Sequence, residues 1–141
     1  VTSSSYLAAM PFYAAYRSSK AALGAIGESL RTELAPFGIR IVEIMPGPID
    51  TDMLAGSARM PEAGRFPDYR AMAQKAYDSR MAVGPSVTSP EVAAERVRRV
   101  ILDDDAPLRS GCDPMADALL EAWRSARDED LMRGFMKVFV P

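Results

Sequence analysis

The chain has 141 residues, and its 17 Lys and Arg against 19 Asp and Glu give a formal net charge of −2. This length fits a single domain that buries about two-thirds of its surface. With 48% hydrophobic and 26% charged residues, the composition excludes a wholly disordered tail. The near-neutral charge argues against a dedicated nucleic-acid binder, which would show an excess of basic residues.

Two residue counts narrow the chemistry that this sequence can perform. Cys112 is its single cysteine, so no disulfide can form within it, and a cytoplasmic protein is predicted. It has no histidine, which excludes His-based triads, His general bases and the usual zinc sites. We expect no bound metal, and we expect Cys112 to be a quiet thiol. No apolar run approaches the ~18 residues that a membrane helix needs.

The first fifty residues predict a strand, a long helix and a second strand. Residues 1–5 are predicted to be a strand end, and helix formers dominate Ala14–Leu34. The β-branched run Ile39–Met45 predicts a strand that ends at Pro46–Pro48. A helix of this length between two strands predicts a parallel βαβ unit. The buried stripe of the helix is predicted from the apolar residues that recur every four positions, Ala22, Ile26, Leu30 and Leu34.

The rest of the chain predicts mostly helices. Two of them begin at a capping residue followed by proline, at Ser89-Pro90 and at Asp113-Pro114. The predicted elements are, in order, a helix over Tyr69–Met81, a helix from Ser89 to Ile101 or Leu102, a loop over Asp103–Pro107, a short strand over Leu108–Gly111, a helix from Asp113 through Trp123, and a last helix within Glu129–Val140.

Tyr16 and Lys20 carry the strongest chemical signal. Their spacing places them on one face of a helix, about 6 Å apart along its axis. A phenol is a weak base at neutral pH, but a nearby ammonium group stabilises the phenolate and lowers the pKa of the tyrosine. A tyrosine tuned in this way can pass a proton to or from an alcohol oxygen. The alternative is a plain surface pair on an amphipathic helix.

Two further polar features fall at the ends of the predicted strands. Ser3, Ser4 and Ser5 close the first strand, and Pro46-Gly47-Pro48-Ile49-Asp50-Thr51 closes the second. Ligands of open parallel sheets bind at the carboxyl ends of the strands, so we expect both features to face one crevice together with the start of the helix. A serine hydroxyl there can hold a substrate oxygen.

These three features, in this order along Thr2–Met53, resemble the short-chain dehydrogenase/reductase family. The resemblance implies that Tyr16 is the catalytic acid/base, and that Lys20 tunes it and also hydrogen-bonds the nicotinamide ribose. Ser5 best matches the catalytic serine of the family, although the segment before Tyr16 is then shorter than usual. Ser4 is the second choice.

The resemblance also implies a nicotinamide site at the end of the second strand. Pro46, Gly47 and Thr51 resemble the turn that wraps the nicotinamide, with the Ile49 backbone placed to bind its carboxamide. The implied cofactor is NAD or NADP. The glycine-rich phosphate-binding turn of the family is absent from this sequence.

The implied fold is α/β, a Rossmann-like doubly wound parallel sheet. The resemblance divides it into a catalytic strand–helix–strand unit at 1–53, a substrate lid at 54–88 and C-terminal helices at 89–141. Because Val1 opens directly at a strand end, we expect residues 1–141 to be the C-terminal part of a longer chain, without the N-terminal dinucleotide-binding half.

The predicted function is an NAD(P)(H)-dependent oxidoreductase that interconverts a secondary alcohol and a ketone or aldehyde by hydride transfer. Methionines scattered through the lid favour an apolar small-molecule substrate, with core filling as the alternative. The family commonly dimerises through its long helix, so a homo-oligomer is implied, with packing within one chain as the alternative. The small residues of that helix are Ala14, Ala21, Gly24 and Ala25. The rival function is that of a truncated, non-catalytic homologue, acting as a dimerisation or binding module.

Overall fold

The computed structural model describes residues 1–141, with the exception of the side chain of Pro85. The elements of the described chain are α1 (Ala14–Leu34), β1 (Glu43–Met45), α2 (Asp52–Gly56), α3 (Arg70–Met81), α4 (Pro90–Leu102), β2 (Arg109–Gly111), α5 (Pro114–Ser125) and α6 (Asp128–Phe139). Short 3-10 turns lie between several of them, beginning with Ser4–Tyr6.

Three segments run parallel at the centre of the molecule. β1 pairs with β2 in parallel, with Glu43 opposite Arg109. On the other side of β1, the Thr2 N–H donates to the Ile44 carbonyl at 2.8 Å, and the Ser4 N–H donates to the Pro46 carbonyl at 2.9 Å. The predicted strand–helix–strand unit therefore has parallel ends. The sheet itself is small, because β1 has three residues where the sequence predicted seven.

The first predicted strand is paired along one direction only. In a parallel ladder the residues at positions 46 and 48 would donate back to residues 2 and 4, but Pro46 and Pro48 have no N–H. Residues 1–3 consequently form an extended segment without a full ladder, and the chain enters a 3-10 turn at Ser4–Tyr6.

The bounds of α1 agree with the prediction at both ends. The helix begins at Ala14 and ends at Leu34, and a 3-10 turn that contains Pro36 follows it. Gly38 then adopts a left-handed conformation with a φ of 70°, which glycine reaches without steric cost.

The predicted buried stripe of α1 is wrong. Ala22, Ile26 and Leu30 are exposed, Ile26 to 54%, and only Leu34 of the four is partly covered. The buried residue of the helix is Gly24, which lies against β1. The helix approaches the strand through its smallest residue, and this close approach decides which face is covered.

The helices of the second half follow the predicted starts. Ser89 caps α4 by accepting from the Val92 N–H at 3.4 Å, and Asp113 caps α5 by accepting from the Ala116 N–H at 2.9 Å. The predictions for α3, α6 and β2 are also confirmed to within two residues. The short helix α2 was not predicted.

Two small apolar clusters cover the two faces of β1. Met45 packs with Leu7 and Leu120 of α5, whereas Ile44 packs with Ala93 of α4 and with Cys112. Successive strand residues point to opposite faces, so the sheet is covered on both sides, as a parallel sheet requires. Among the helices described, none has the length and apolar character needed to cross a bilayer.

Candidate active site

Tyr16 and Lys20 lie together at the start of α1. Both side chains are partly buried, and the Lys20 Nζ lies 5.6 Å from the centroid of the Tyr16 ring. Tyr13 packs its ring edge-to-face against Tyr16, with centroids 6.4 Å apart. The Lys20 ammonium therefore lies over the Tyr16 ring, and Tyr13 packs against the same ring.

The serines of the 3-10 turn differ in their exposure. Ser4 is buried, with 3% of its surface exposed, whereas Ser3 and Ser5 are partly exposed. The Ser3 and Ser5 hydroxyl oxygens are 2.8 Å apart, and the Ser3 oxygen also accepts from the Ser5 N–H. A bound substrate can therefore reach Ser5 more readily than Ser4. Ser3, which the sequence placed only within a serine run, fixes the orientation of Ser5.

The turn after β1 is held from two sides by backbone hydrogen bonds. Ser4 binds the Pro46 carbonyl, while Thr88 donates to the Pro48 carbonyl at 3.0 Å and accepts from the Asp50 N–H at 2.9 Å. Ile49 faces Thr88 in a parallel bridge. In such a bridge Thr88 uses both of its backbone groups, and the N–H and C=O of Ile49 point to the opposite side.

A buried carboxylate, that of Asp113, also holds the turn after β1 through a hydrogen bond. Asp113, with 1% of its surface exposed, accepts from the Gly47 N–H at 2.6 Å through one oxygen and caps α5 through the other. A Cβ on Gly47 would lie 2.9 Å from the Asp113 Oδ2, so this close approach requires glycine. The sequence identified Asp113 only as a helix cap. A helix cap uses one carboxylate oxygen, so the second oxygen of Asp113 was the sequence signal that another donor binds there.

Short hydrogen bonds join the three predicted motifs. We call the 3-10 turn Ser4–Tyr6 the serine turn. Arg17, next to Tyr16, donates to the Tyr6 carbonyl of this turn at 2.9 Å, and the Ser4 N–H donates to the Pro46 carbonyl. The serine turn is thereby connected both to the start of α1 and to the turn after β1. Thr51, the last residue of the predicted nicotinamide site, is exposed at the start of α2. Its hydroxyl donates to the Ile49 carbonyl at 3.4 Å.

A polar cluster lies beneath these motifs. The buried Glu43 carboxylate accepts from the hydroxyls of Thr2 at 2.7 Å and Tyr6 at 3.1 Å, and from the Arg109 guanidinium at 3.0 Å. Burial raises the pKa of Tyr6, although its hydrogen bond with Arg109 opposes that effect, so the phenol remains a donor. Arg109 also pairs with Glu28 of α1 and lies over the Trp123 ring. We call these six residues the Glu43 cluster.

The sequence contained one signal for the Glu43 cluster. Glu43 is the carboxylate within the predicted strand Ile39–Met45, and a carboxylate at a buried strand position needs a partner. The identity of that partner depends on the pairing of β1 with β2, which places Arg109 opposite Glu43.

The predicted lid segment, residues 54–88, contacts the chain just before α1 through Tyr69. Phe12, which has a positive φ of 67°, packs edge-to-face on Tyr69 with centroids 6.1 Å apart. Arg80 of α3 donates to the Ser57 hydroxyl at 3.1 Å and to the Leu54 carbonyl at 2.9 Å. Of the methionines in and next to this segment, Met53, Met60 and Met81 are exposed and Met72 is partly buried, so none belongs to the buried core.

Comparison with known proteins agrees with the motifs. Residues 1–62 match the family model described as short chain dehydrogenase. The chain is 38% identical over 89 residues to "Short-chain dehydrogenase PC-15" of Penicillium crustosum, which is 62% of this chain and 32% of that protein. It is 33% identical over 99 residues to "Oxidoreductase BOA17" of Botryotinia fuckeliana, which is 70% of this chain and 36% of that protein.

A third relative carries a cofactor in its name. "NADPH-dependent 1-acyldihydroxyacetone phosphate reductase" of Schizosaccharomyces pombe is 38% identical over 88 residues, which is 58% of this chain and 29% of that protein. The chain therefore spans about a third of the length of the curated relatives that it matches.

Proposed function

Because the chain belongs to the short-chain dehydrogenase family, we propose that the whole protein is a nicotinamide-dependent oxidoreductase. Its reaction interconverts a secondary alcohol and a ketone or aldehyde. The observation that carries the proposal is the connection of the three motifs through Arg17, Tyr6, Ser4 and Pro46. A chance pair of Tyr16 and Lys20 on a helix surface would have no reason to share hydrogen bonds with a serine turn and a Pro-Gly turn.

The residues of the turn after β1 fit the nicotinamide end of a dinucleotide. The Ile49 N–H and C=O face away from Thr88, so they can pair with the carboxamide, which has both a donor and an acceptor. Gly47 keeps the turn free of a side chain at its closest approach to Asp113. The Thr51 hydroxyl and the Lys20 ammonium supply further polar contacts. NAD and NADP carry the same nicotinamide group, and these residues fit that group.

In the proposed mechanism the protein moves a proton and orients the substrate. The Ser5 hydroxyl, held by Ser3, donates a hydrogen bond to the substrate oxygen. Tyr16 gives its phenolic proton to that oxygen in reduction and takes a proton from the alcohol in oxidation. Lys20 stabilises the phenolate that remains. The nicotinamide, when bound, supplies or accepts the hydride.

The lid segment supports an apolar substrate. Phe12, two residues before α1, packs on Tyr69, and both rings are exposed, as are Met53 and Met60 in and next to the lid segment. Such surface favours a hydrophobic alcohol or ketone over a strongly charged one.

A single substitution tests the proposed reaction in the whole protein. Tyr16→Phe removes the phenolic oxygen and should lower kcat/KM by about 10² to 10⁴-fold, the usual contribution of a positioned proton donor. Tyr13→Phe is the matched control, because Tyr13 packs on Tyr16 and should tolerate the loss of its oxygen. Turnover is followed through the absorbance of the reduced nicotinamide, with NAD and NADP and a panel of alcohols and ketones.

The outcomes separate the two predicted functions. Near-normal turnover in Tyr16→Phe would show that the proposed mechanism is wrong. If the unmodified protein neither binds a dinucleotide nor transfers hydride, the non-catalytic binding module becomes the better description.

The location and the assembly of the protein remain proposals that rest on the sequence. A cytoplasmic location agrees with Cys112, which is buried and has no disulfide partner. The homo-oligomer implied by the resemblance has less support from the small residues of α1, because Gly24 is used in packing within the chain. Light scattering of the whole protein measures the assembly directly.

A further inference from the structure

We propose that Asp113 is a positioning residue for the turn after β1, residues 46–51, which we call the nicotinamide turn. It fixes this turn by binding the Gly47 N–H while it caps α5. This inference rests on the proposed function and adds to it a residue from outside the three motifs. Asp113 lies 66 residues after Gly47 along the chain, and the hydrogen bond between them is 2.6 Å long.

The carboxylate is placed to act on both structures at once. Its two oxygens accept from the Gly47 and Ala116 N–H groups, at 2.6 Å and 2.9 Å. With 1% of its surface exposed, Asp113 is shielded from water, which would otherwise compete for these donors. A charged acceptor in such surroundings makes a stronger hydrogen bond than a neutral one.

Ser89, the other cap that is followed by a proline, does not have this double role. Ser89 caps α4 through one hydroxyl oxygen, and its acceptor distance to the Val92 N–H is 3.4 Å. Its side chain is exposed, and a serine suffices there because only one donor needs a partner. At position 113 the second donor belongs to the nicotinamide turn, and only a carboxylate satisfies both donors.

The Gly47 bond has consequences for the residues that follow it. Pro46 and Pro48 restrict the backbone on both sides of Gly47, so the direction of the Gly47 N–H is coupled to the direction of the next peptide groups. Ile49, which offers its backbone to the carboxamide, is two residues further on. A turn that loses the Asp113 bond samples other orientations. Binding of the cofactor must then order the turn, and this loss of entropy weakens the binding.

The test compares Asp113→Asn with Ser89→Ala in the whole protein. Asparagine keeps the size of aspartate and remains a good helix cap, but it has one acceptor oxygen and cannot serve both N–H groups. Ser89→Ala removes a cap of the same kind, and the hydroxyl it deletes bonds the Val92 N–H and makes no hydrogen bond to the turn, whose neighbour Thr88 binds through its backbone. The measurements are KM and kcat for NAD and NADP, thermal unfolding, and hydrogen exchange of the Gly47 amide by NMR, with glycine labelled with heavy nitrogen.

For Asp113→Asn we expect KM for the dinucleotide to rise about tenfold, the effect of losing about 1.4 kcal/mol. We expect kcat to change far less, because the proton-transferring residues are untouched, and the Gly47 amide to exchange faster. Ser89→Ala should lower the unfolding temperature comparably and leave KM and Gly47 exchange unchanged.

A second variant approaches the same bond from the other side. Gly47→Ala places a Cβ against the Asp113 carboxylate and should raise KM in the same way. Because the two substitutions break one interaction, the double variant Gly47→Ala/Asp113→Asn should be less impaired than the sum of the single effects predicts.

Several results would overturn the inference. If Asp113→Asn leaves KM and Gly47 exchange unchanged, Asp113 is a helix cap only. If Ser89→Ala raises KM equally, the effect is one of general stability. If the wild-type protein shows no turnover with a dinucleotide, the proposed function is wrong. The role of Asp113 toward a cofactor then fails with it, whatever the exchange of the Gly47 amide shows.

Discussion

Cys112 is a thiol buried on the face of the sheet that α4 covers, and its chemistry follows from that position. It packs with Ile44 and Ala93, with 2% of its surface exposed. Burial, together with the neighbouring negative charge of Asp113, raises its pKa from 9.0 to about 11. The thiol is therefore protonated at neutral pH, as expected for a cysteine without a catalytic role.

This raised pKa predicts a loss of stability in alkali. Below pH 9.0 the thiol is protonated in the folded and the unfolded chain alike, and it adds no pH dependence. Between pH 9.0 and about 11 the unfolded chain loses the thiol proton while the folded chain keeps it, so the free energy of unfolding falls.

Urea unfolding at several pH values, with Cys112→Ala as the reference, isolates this contribution. The difference in unfolding free energy between wild type and variant should shrink as pH rises from 9.0 to about 11. A constant difference across that range would contradict the burial of the thiol.

At the residue scale, the sequence predicted the residues whose signal is local. Tyr16 and Lys20 are one helical turn apart, so their proximity follows from the helix alone. The Gly47 contact of Asp113 spans 66 residues, and no local pattern contains it. The different exposure of Ser4 and Ser5 also depends on the 3-10 turn, which forms where the pairing with β1 ends.

Among the elements, α1 shows how helix packing depends on a single glycine. Gly24 faces β1, where an added Cβ would lie 3.0 Å from the Glu43 Oε1 and 3.3 Å from the Tyr6 hydroxyl. Gly27, one turn further on, has the Ile41 side chain as its nearest neighbour at 4.0 Å. The two glycines are a matched pair within one helix.

Alanine substitutions at these glycines should have opposite effects. Gly27→Ala should stabilise the fold by up to about 1 kcal/mol, because alanine favours the helix. Gly24→Ala should destabilise it by about 1–3 kcal/mol, because the Glu43 carboxylate and the Tyr6 hydroxyl, which hydrogen-bond each other, must shift to admit the methyl group. Chemical unfolding of both variants measures the two effects, and equal stability of the two would mean that α1 does not approach β1 through Gly24.

The ends of α1 were predictable and its buried face was not. Pro36 and Gly38 end the helix through their own backbone constraints, which act whatever surrounds them. The stripe through Ile26 and Leu30 has the right spacing for burial, yet it is exposed. Spacing indicates which residues of a helix share a face. Which face is covered depends on the segment that packs against the helix, here Glu43 of β1 and the residues that hydrogen-bond to it.

Across the whole molecule, the Glu43 cluster joins segments that are distant in sequence. It includes residues from the first extended segment, the serine turn, α1, β1, β2 and α5. Arg109 is its only cation within the described chain, and 18% of its side chain is exposed, against 5% for Glu43. Arg109 therefore compensates the charge of the buried Glu43 carboxylate.

Removal of Arg109 should therefore weaken the entire fold. Arg109→Ala leaves Glu43 buried without a cation, and we expect a loss of roughly 3 kcal/mol of unfolding free energy. Arg98→Ala is the control, because Arg98 pairs with Glu95 on the surface of α4 and should leave the unfolding midpoint unchanged. If both variants unfold at the same denaturant concentration, the cluster does not stabilise the fold.

The parallel α/β arrangement was predictable from the order of the elements, but its extent was not. The strand prediction rested on β-branched residues from Ile39 onward, whereas the observed strand begins at Glu43, where β2 becomes available for pairing. Strand length is set by the partner, and β2 has three residues.

The missing donors at Pro46 and Pro48 illustrate a trade-off between stability and function. Any other residue at these positions would add an N–H and could lengthen the pairing with residues 1–4, which now depends on two backbone bonds. The pairing would then extend beyond Met45, into the segment between the serine turn and Ile49. With Pro46 and Pro48 in place, only the Thr2 and Ser4 N–H groups join the first segment to β1 through the backbone, and the chain leaves the sheet at the serine turn.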